Sequence, residues 1–208
     1  MLHALHTMRN EKINKAQLAK QAIDVEQVIL KENVGIQDQI QCAWGGINRI
    51  KIDQNGEYTI QPLILNEKVI QDHLIIFFTD IQRTASDIAL DQINHIQRNK
   101  SGLKEIMELV SPAVEALKES NMMEFGRLLH ESWMRKRKLS TKITSDSLDE
   151  IYELALRSGA YGGKILGAGG GGFFLFVVPP EKRQKLINAL GLLYVDVEFD
   201  HEGSQVVI

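Results

Sequence analysis

The chain has 208 residues, 44% of them hydrophobic and 25% charged, with a formal net charge of −3. That is the composition of a globular protein with room for one large domain or two small ones, and it gives no reason to expect nucleic acid or a membrane as partner. The single cysteine, Cys42, excludes an intrachain disulfide and reads as a small buried apolar residue. With no signal-peptide stretch and no run of ~20 apolar residues, a cytoplasmic protein is expected.

Leu2, Leu5 and Met8 follow helical spacing from the first residues onward. Asn14 reads as the N-cap of a second helix, whose apolar positions Leu18, Ala22, Val25 and Ile29 recur at three- and four-residue steps. Asn33-Val34-Gly35 breaks it, and a short turn carrying Gln37-Asp38-Gln39 follows. Ile50 and Ile52 alternate with polar residues, as do Tyr58 and Ile60, and Asn55-Gly56 between them predicts a hairpin. The polar segment from Asn66 to Asp72 marks the expected domain boundary. Leu74 to Thr79 is a continuous apolar strand. A long helical region runs from Ala85 to Leu139, with an expected kink at Pro112. The run Arg135-Lys136-Arg137-Lys138 closes it and reads as a solvated helix end, with a substrate-phosphate role for one of its residues as the alternative. Ser147 with Glu150 suggests a capping box. Pro180 and Gly191 bound a further helix, and strands are expected at Tyr194 to Phe199 and at Val206 to Ile208. The order of elements predicts an α+β fold: an antiparallel sheet with helices on one face.

Eight of the 16 glycines lie between Gly159 and Gly172. Residues Gly167 to Gly172 match G-x-G-x-x-G, the dinucleotide-binding fingerprint, which requires a helix to follow. Here Phe173-Phe174-Leu175-Phe176-Val177-Val178 follows, a buried strand closed by Pro179. The dinucleotide reading is therefore set aside. A strand–loop–strand with four consecutive glycines leaves two alternatives. One is a tight hairpin that needs positive φ. The other is a backbone free to approach a ligand and to turn successive N–H groups toward an anion.

Asp38, in the glycine-led segment Gly35-Ile36-Gln37-Asp38-Gln39, is a candidate proton acceptor for a substrate hydroxyl. Glu26, late on the preceding helix, is a candidate Mg²⁺ ligand, since Mg²⁺ takes a few carboxylates and completes its shell with phosphate and water. Each has a plainer reading, as a capping aspartate and a solvated glutamate.

GAYGGKILGAGGGGFFLFVV, GIQDQ with its upstream Glu26, FFTDIQRTASDI and LLHESWMRKRKLSTKITSDSLDEIYELALRSGAYGGK together resemble the GHMP small-molecule kinases. This group includes galactokinase, homoserine kinase and mevalonate kinase, and the similarity is greatest to the branch acting on D-glycero-α-D-manno-heptose 7-phosphate at O1. The resemblance covers essentially all 208 residues. It implies part of a ribosomal-S5-domain-2-like N-terminal domain in residues 1–71. A ferredoxin-like GHMP kinase C-terminal domain with extra helices would occupy 72–208. It implies ATP and Mg²⁺ as cofactors and a sugar phosphate as substrate. Asp38 matches the family's catalytic aspartate and Glu26 its metal-ligand glutamate. Gly167, Gly169, Gly170 and Gly171 match the loop beside the triphosphate, and Arg83 is a candidate contact to the sugar's phosphate.

The family's principal phosphate cradle, P-x-x-x-G-L-G-S-S-A, has no counterpart among these residues. The resemblance is thus to the C-terminal two thirds of a kinase. Two functions from different classes follow. One is an ATP-dependent sugar kinase. The other is a non-catalytic, truncated remnant that serves as an interaction module, as a homodimer or beside a separate N-terminal fragment.

Overall fold

Local chemistry sets the first elements of the chain. The computed structural model describes residues 1–81 and 85–207, with the backbone alone at 85–87. Helix α1 (Leu2–Met8) has no side-chain cap. Helix α2 (Lys15–Ile23) begins at Asn14, whose side chain accepts from the Gln17 N–H while the Gln17 side chain returns to the Asn14 N–H. The predicted regular helix to Ile29 is not what forms. Asp24–Ile29 is a π-helical turn, in which Leu30 N donates to Val25 O, five residues back. Helix α3 (Gln37–Trp44) follows.

Strands β1 (Asn48–Ile52) and β2 (Tyr58–Pro62) pair antiparallel, Ile50 facing Ile60 and Ile52 facing Tyr58. The turn between them is organised by Asp53, whose carboxylate accepts from the N–H groups of Asn55 and Glu57. Leu18, Ala19, Ile40 and Ala43 form a core with Ile50, Tyr58 and Ile60 packed against it. These elements make one compact unit, Met1–Ile64 with Phe199–Ile208. The C-terminal stretch joins through Gly46 N donating to Asp200 O and Lys15 Nζ to Glu202 O. The strand expected at Val206 to Ile208 is absent at 206 and 207, and Ile208 lies outside the described residues.

The second unit is Leu65–Glu198. It opens with α4 (Glu67–His73), capped by Asn66, and β3 (Leu74–Phe78). The long helical region is four helices: α5 (Ala85–Asn94), α6 (Ile96–Glu108), α7 (Val110–Lys118) and α8 (Met122–Lys136). The break falls at Leu109, before Pro112. This places the proline in the first turn of α7, where its missing N–H leaves no hydrogen bond unmade. Helix α9 (Asp146–Arg157) is capped by Ser145, which accepts from Leu148 N. The predicted cap Ser147 lies inside the helix, because two serines three and one residues before Leu148 both suit a cap and the chain uses the earlier. Strands β4 (Gly162–Ile165) and β5 (Phe173–Val177), helix α10 (Pro180–Leu190) and β6 (Tyr194–Asp196) complete the unit. Gly191 ends α10 in the left-handed conformation, as its sequence position suggests.

The four strands of this unit form an antiparallel sheet in the order β4-β5-β3-β6. Numbered within the unit, this is the order of a ferredoxin-like fold, with helices between β3 and β4 and between β5 and β6. Strand alternation turns Ile75, Phe77, Phe174, Phe176 and Ile165 to one face. They bury against Trp133 of α8, Tyr152 of α9 and Leu186 of α10. Trp133 meets Phe174 edge-on at 5.9 Å. The buried Tyr152 hydroxyl is satisfied by His130 Nδ1 at 2.8 Å and by the Gly163 carbonyl, to which it donates at 3.3 Å. Helix α8 lies so close to β4 that a Cβ on Gly162 would sit 2.0 Å from the Gly126 carbonyl oxygen.

Candidate functional site

In the first unit, Glu26 is carried by the π-helical turn and Asp38 by the first turn of α3. Asp38 is therefore helical, not in a free turn as the sequence suggests, because α3 starts at Gln37, directly after Ile36. The fold brings the two carboxylates to one cavity of about 390 Å³, floored by Leu18, Ala22 and Val25. Gln39, buried beside Asp38, donates from Nε2 to the Glu26 carboxylate, while its Oε1 has no hydrogen-bond partner among the described residues. A buried amide with half its capacity unused is costly unless a ligand or water completes it. The sequence reading missed Gln39, although it lies within the GIQDQ segment.

Cys42 also lines this cavity and is exposed, which corrects the expectation of a buried thiol. Ile40 and Ala43 take the core side of α3, and Cys42, four residues after Asp38, shares the open face with it. The chain's sole cysteine should accordingly react with a small thiol reagent such as iodoacetamide in the native state, at one equivalent per chain. A thiol that labels only after denaturation would contradict its placement on this cavity.

The glycine loop, residues 166–172, joins β4 to β5 in the second unit. It is held from several sides. Lys136 Nζ donates to Gly167 O at 2.5 Å and Gln92 Nε2 to Ala168 O at 3.1 Å. Gly170 N donates to Ile143 O, Gly172 N to Ile81 O, and both the N–H and the hydroxyl of Thr79 to Gly172 O. Gly167, Gly169, Gly170 and Gly171 all have positive φ, at 73°, 117°, 75° and 153°. They differ in their surroundings. A Cβ on Gly171 would fall 2.1 Å from Ile81 O and one on Gly169 3.0 Å from Ile143, whereas one on Gly167 would meet nothing within 4 Å. The tight-hairpin reading therefore accounts for part of this loop, and the N–H groups of Gly167 and Ala168 donate to no backbone carbonyl among the described residues.

Beside the loop, Arg135 pairs with Glu131 and Glu105, and Arg137 pairs with Asp149. Lys136, between them, turns instead to the loop. Burial first, and then the neighbouring Lys164 ammonium, hold its pKa down to about 8, and burial lowers Lys164 as well. Arg83, the candidate phosphate contact, lies outside the described residues. No group of three or more His, Cys, Asp or Glu residues able to hold a metal gathers among the described residues, and no described helix is long and apolar enough to cross a membrane.

Comparison with known proteins places this arrangement. Residues 113–196 match the family model for the GHMP kinases C-terminal domain. Over 187 residues the chain is 32% identical to D-glycero-α-D-manno-heptose 7-phosphate kinase of Campylobacter jejuni, an alignment covering 87% of this chain and 55% of that protein. The chain thus spans about half the length of this curated relative. Among solved structures, one described as a sugar kinase from Campylobacter jejuni superposes with a TM-score of 0.68 at 30% identity, covering 97% of this chain and 60% of the other. Mevalonate kinase of Methanococcus jannaschii superposes with a TM-score of 0.70 at 25% identity, covering 93% and 59%. Residues 113–196 are thus a GHMP kinase C-terminal domain.

Proposed function

We propose that the chain carries the catalytic and sugar-binding portion of an ATP-dependent kinase that phosphorylates the anomeric hydroxyl of a heptose 7-phosphate or a related sugar. The observation that carries this reading is the meeting of Asp38 and Glu26 at one cavity, with Gln39 holding the second carboxylate. Asp38 is exposed to the cavity, free to accept the hydroxyl proton as the sugar oxygen bonds to the γ-phosphorus and ADP leaves. Mg²⁺ suits the donor set, since it binds through one or two carboxylates and fills the rest of its shell with water and phosphate oxygens. When bound it supplies neutralisation of phosphate charge. Glu26, fixed by Gln39, is the residue that would hold it. The glycine loop offers backbone N–H groups to phosphate oxygens.

Phosphotransfer tests the reading. With Mg-ATP and D-glycero-D-manno-heptose 7-phosphate, ³¹P NMR should show a sugar 1-phosphate accumulating with ADP. In calorimetry on the chain, Mg-ATP alone should bind weakly, with a Kd above about 0.1 mM. The reason is local: two of the loop's N–H groups are already committed to Ile143 and Ile81. A low-micromolar Kd would show that the loop alone is a sufficient cradle, and heptose phosphate that neither binds nor reacts would remove the proposed substrate.

A second reading, a binding module that works beside another polypeptide, draws on the exposed apolar run Val28-Ile29-Leu30. Sedimentation of the chain separates the two, since a module of this kind should self-associate or capture a fragment and transfer no phosphate.

A further inference from the structure

The Glu26–Asp38 cavity is rich in hydrogen-bond acceptors and short of donors. The Asp38 carboxylate has no hydrogen bond or ion pair among the described residues. The Glu26 carboxylate has no ion pair there and accepts only from Gln39. Gln39 lines the same cavity at 7% exposure, and its Oε1 is a third acceptor with no donor among the described residues. No lysine or arginine side chain lines the cavity. His3 does, with Nδ1 held against Ser204 Oγ at 3.1 Å, and Met1 also lines it, fully exposed to water. The floor is apolar. A small organic cation with N–H donors and a short hydrocarbon arm complements this lining, since acceptors withdrawn from water are costly when left unpaired. Cys42 adds a means of holding such a cation. It is exposed on the open face of α3, about one helical turn of 5.4 Å beyond Asp38, a step that a two-carbon arm on its sulfur spans.

We propose that Cys42 is a modification site selective for cationic disulfides, the disulfides of small aminothiols. The Cys42 thiolate attacks one sulfur of the reagent, whose S–S bond breaks as the new Cys42 S–S bond forms. The other sulfur leaves as a thiolate and takes up a proton from water, replacing the one Cys42 gave up. One disulfide is consumed and one is made, so no further oxidant enters. The tethered ammonium then lies beside Asp38 and Glu26, where the same two carboxylates repel an anionic disulfide. A free thiol reverses the bond, so the cavity closes and reopens without change to the fold. The site goes beyond the kinase reading and requires no turnover.

The test takes three disulfides of similar length and different charge: cystamine, 2-hydroxyethyl disulfide and 3,3′-dithiodipropionate. Each is reacted in excess with the full chain at low ionic strength, and intact-mass spectrometry follows the single adduct. Each rate is divided by the rate with the same chain unfolded in urea, which cancels the differences among the leaving thiols. The normalised rate should fall in the order cationic, neutral, anionic. At least about tenfold should separate the ends, the span between attraction and repulsion of a unit charge by a carboxylate ~4 Å away. Near ~1 M sodium chloride the ratio should approach one, because screening then acts within about 3 Å. Asp38→Asn and Glu26→Gln should each shrink the ratio, and the double variant should abolish it. If a variant fails to fold, the salt series on the unaltered chain decides. Equal normalised rates, a ratio that salt leaves unchanged, a ratio retained in the double variant, or an adduct formed only on the unfolded chain would each overturn the site. Neither ATP nor sugar enters the measurement. A selective adduct on a chain that transfers no phosphate would count against the kinase reading alone, and phosphotransfer without charge selectivity would count against the modification site alone.

Discussion

Asp38→Asn should reduce phosphotransfer by ~10²–10⁴-fold while leaving the protein folded. The substitution keeps the side chain's shape and removes its capacity to accept a proton. Its structural cost is small. Asp38 is exposed, and its carboxylate in the first turn of α3 contributes at most the ~0.3–1 kcal/mol of a charge at a helix N-terminus. The two effects separate cleanly in a ³¹P NMR assay run beside a thermal melt. Both measurements are made on the chain itself, with Mg-ATP and the heptose phosphate named above. Turnover near wild type with an unchanged melt would show that another group takes the hydroxyl proton. A collapsed melt would mean that Asp38 serves the fold.

The second large effect falls on stability. Gly171→Ala would drive a methyl group to 2.1 Å from the Ile81 carbonyl oxygen at a backbone φ of 153°. That carbonyl cannot step aside freely, because it accepts from Gly172 N at 3.0 Å. Backbone strain of about 1–3 kcal/mol and a comparable overpacking term add, so a loss of roughly 2–6 kcal/mol is expected. For a chain of this size that lowers Tm by about 4–24 °C. Gly167→Ala meets no atom within 4 Å and costs only the left-handed backbone term, about 1–2 kcal/mol. Differential scanning calorimetry of the two variants decides the matter. Equal melts would mean that the loop does not pack on Ile81. With unequal melts, the glycines divide into those the hairpin requires and those, such as Gly167, with open space at the Cβ position.

The parts of the fold legible in the sequence are those whose cause is local. The N-cap at Asn14, the helix stop at Gly191 and the continuous apolar run of β5 each depend on residues within a few positions of one another. The glycine loop was legible as a loop for the same reason, since no helix former follows it. What stayed hidden depends on distant partners. Nothing near Arg135 or Arg137 in sequence shows that Glu105 and Asp149 will take their charges and leave Lys136 alone. Ser145 and Ser147 are equivalent as candidates until the chain direction into α9 is known. Cys42 was misread because cysteine is usually buried, although its four-residue spacing from Asp38 already placed the two on one helical face. Glu26 and Asp38 could be nominated singly, but their shared cavity and the link through Gln39 exist only once α2 packs on α3.

The π-helical turn at Asp24–Ile29 bears on how one rod of secondary structure can serve two masters. An α-helix fixes the azimuth of every later side chain by its first, at about 100° per residue. A wider turn resets that angle. Leu18 and Ala19 are committed to the interior before the reset, and Glu26 is aimed within it. The direction of the carboxylate is thereby uncoupled from the stripe that anchors the helix. Substitutions that repack the interior around Leu18 can accumulate without swinging Glu26 away from Gln39. The shift in phase acts as a joint between the part of the helix that must stay packed and the part that must stay pointed.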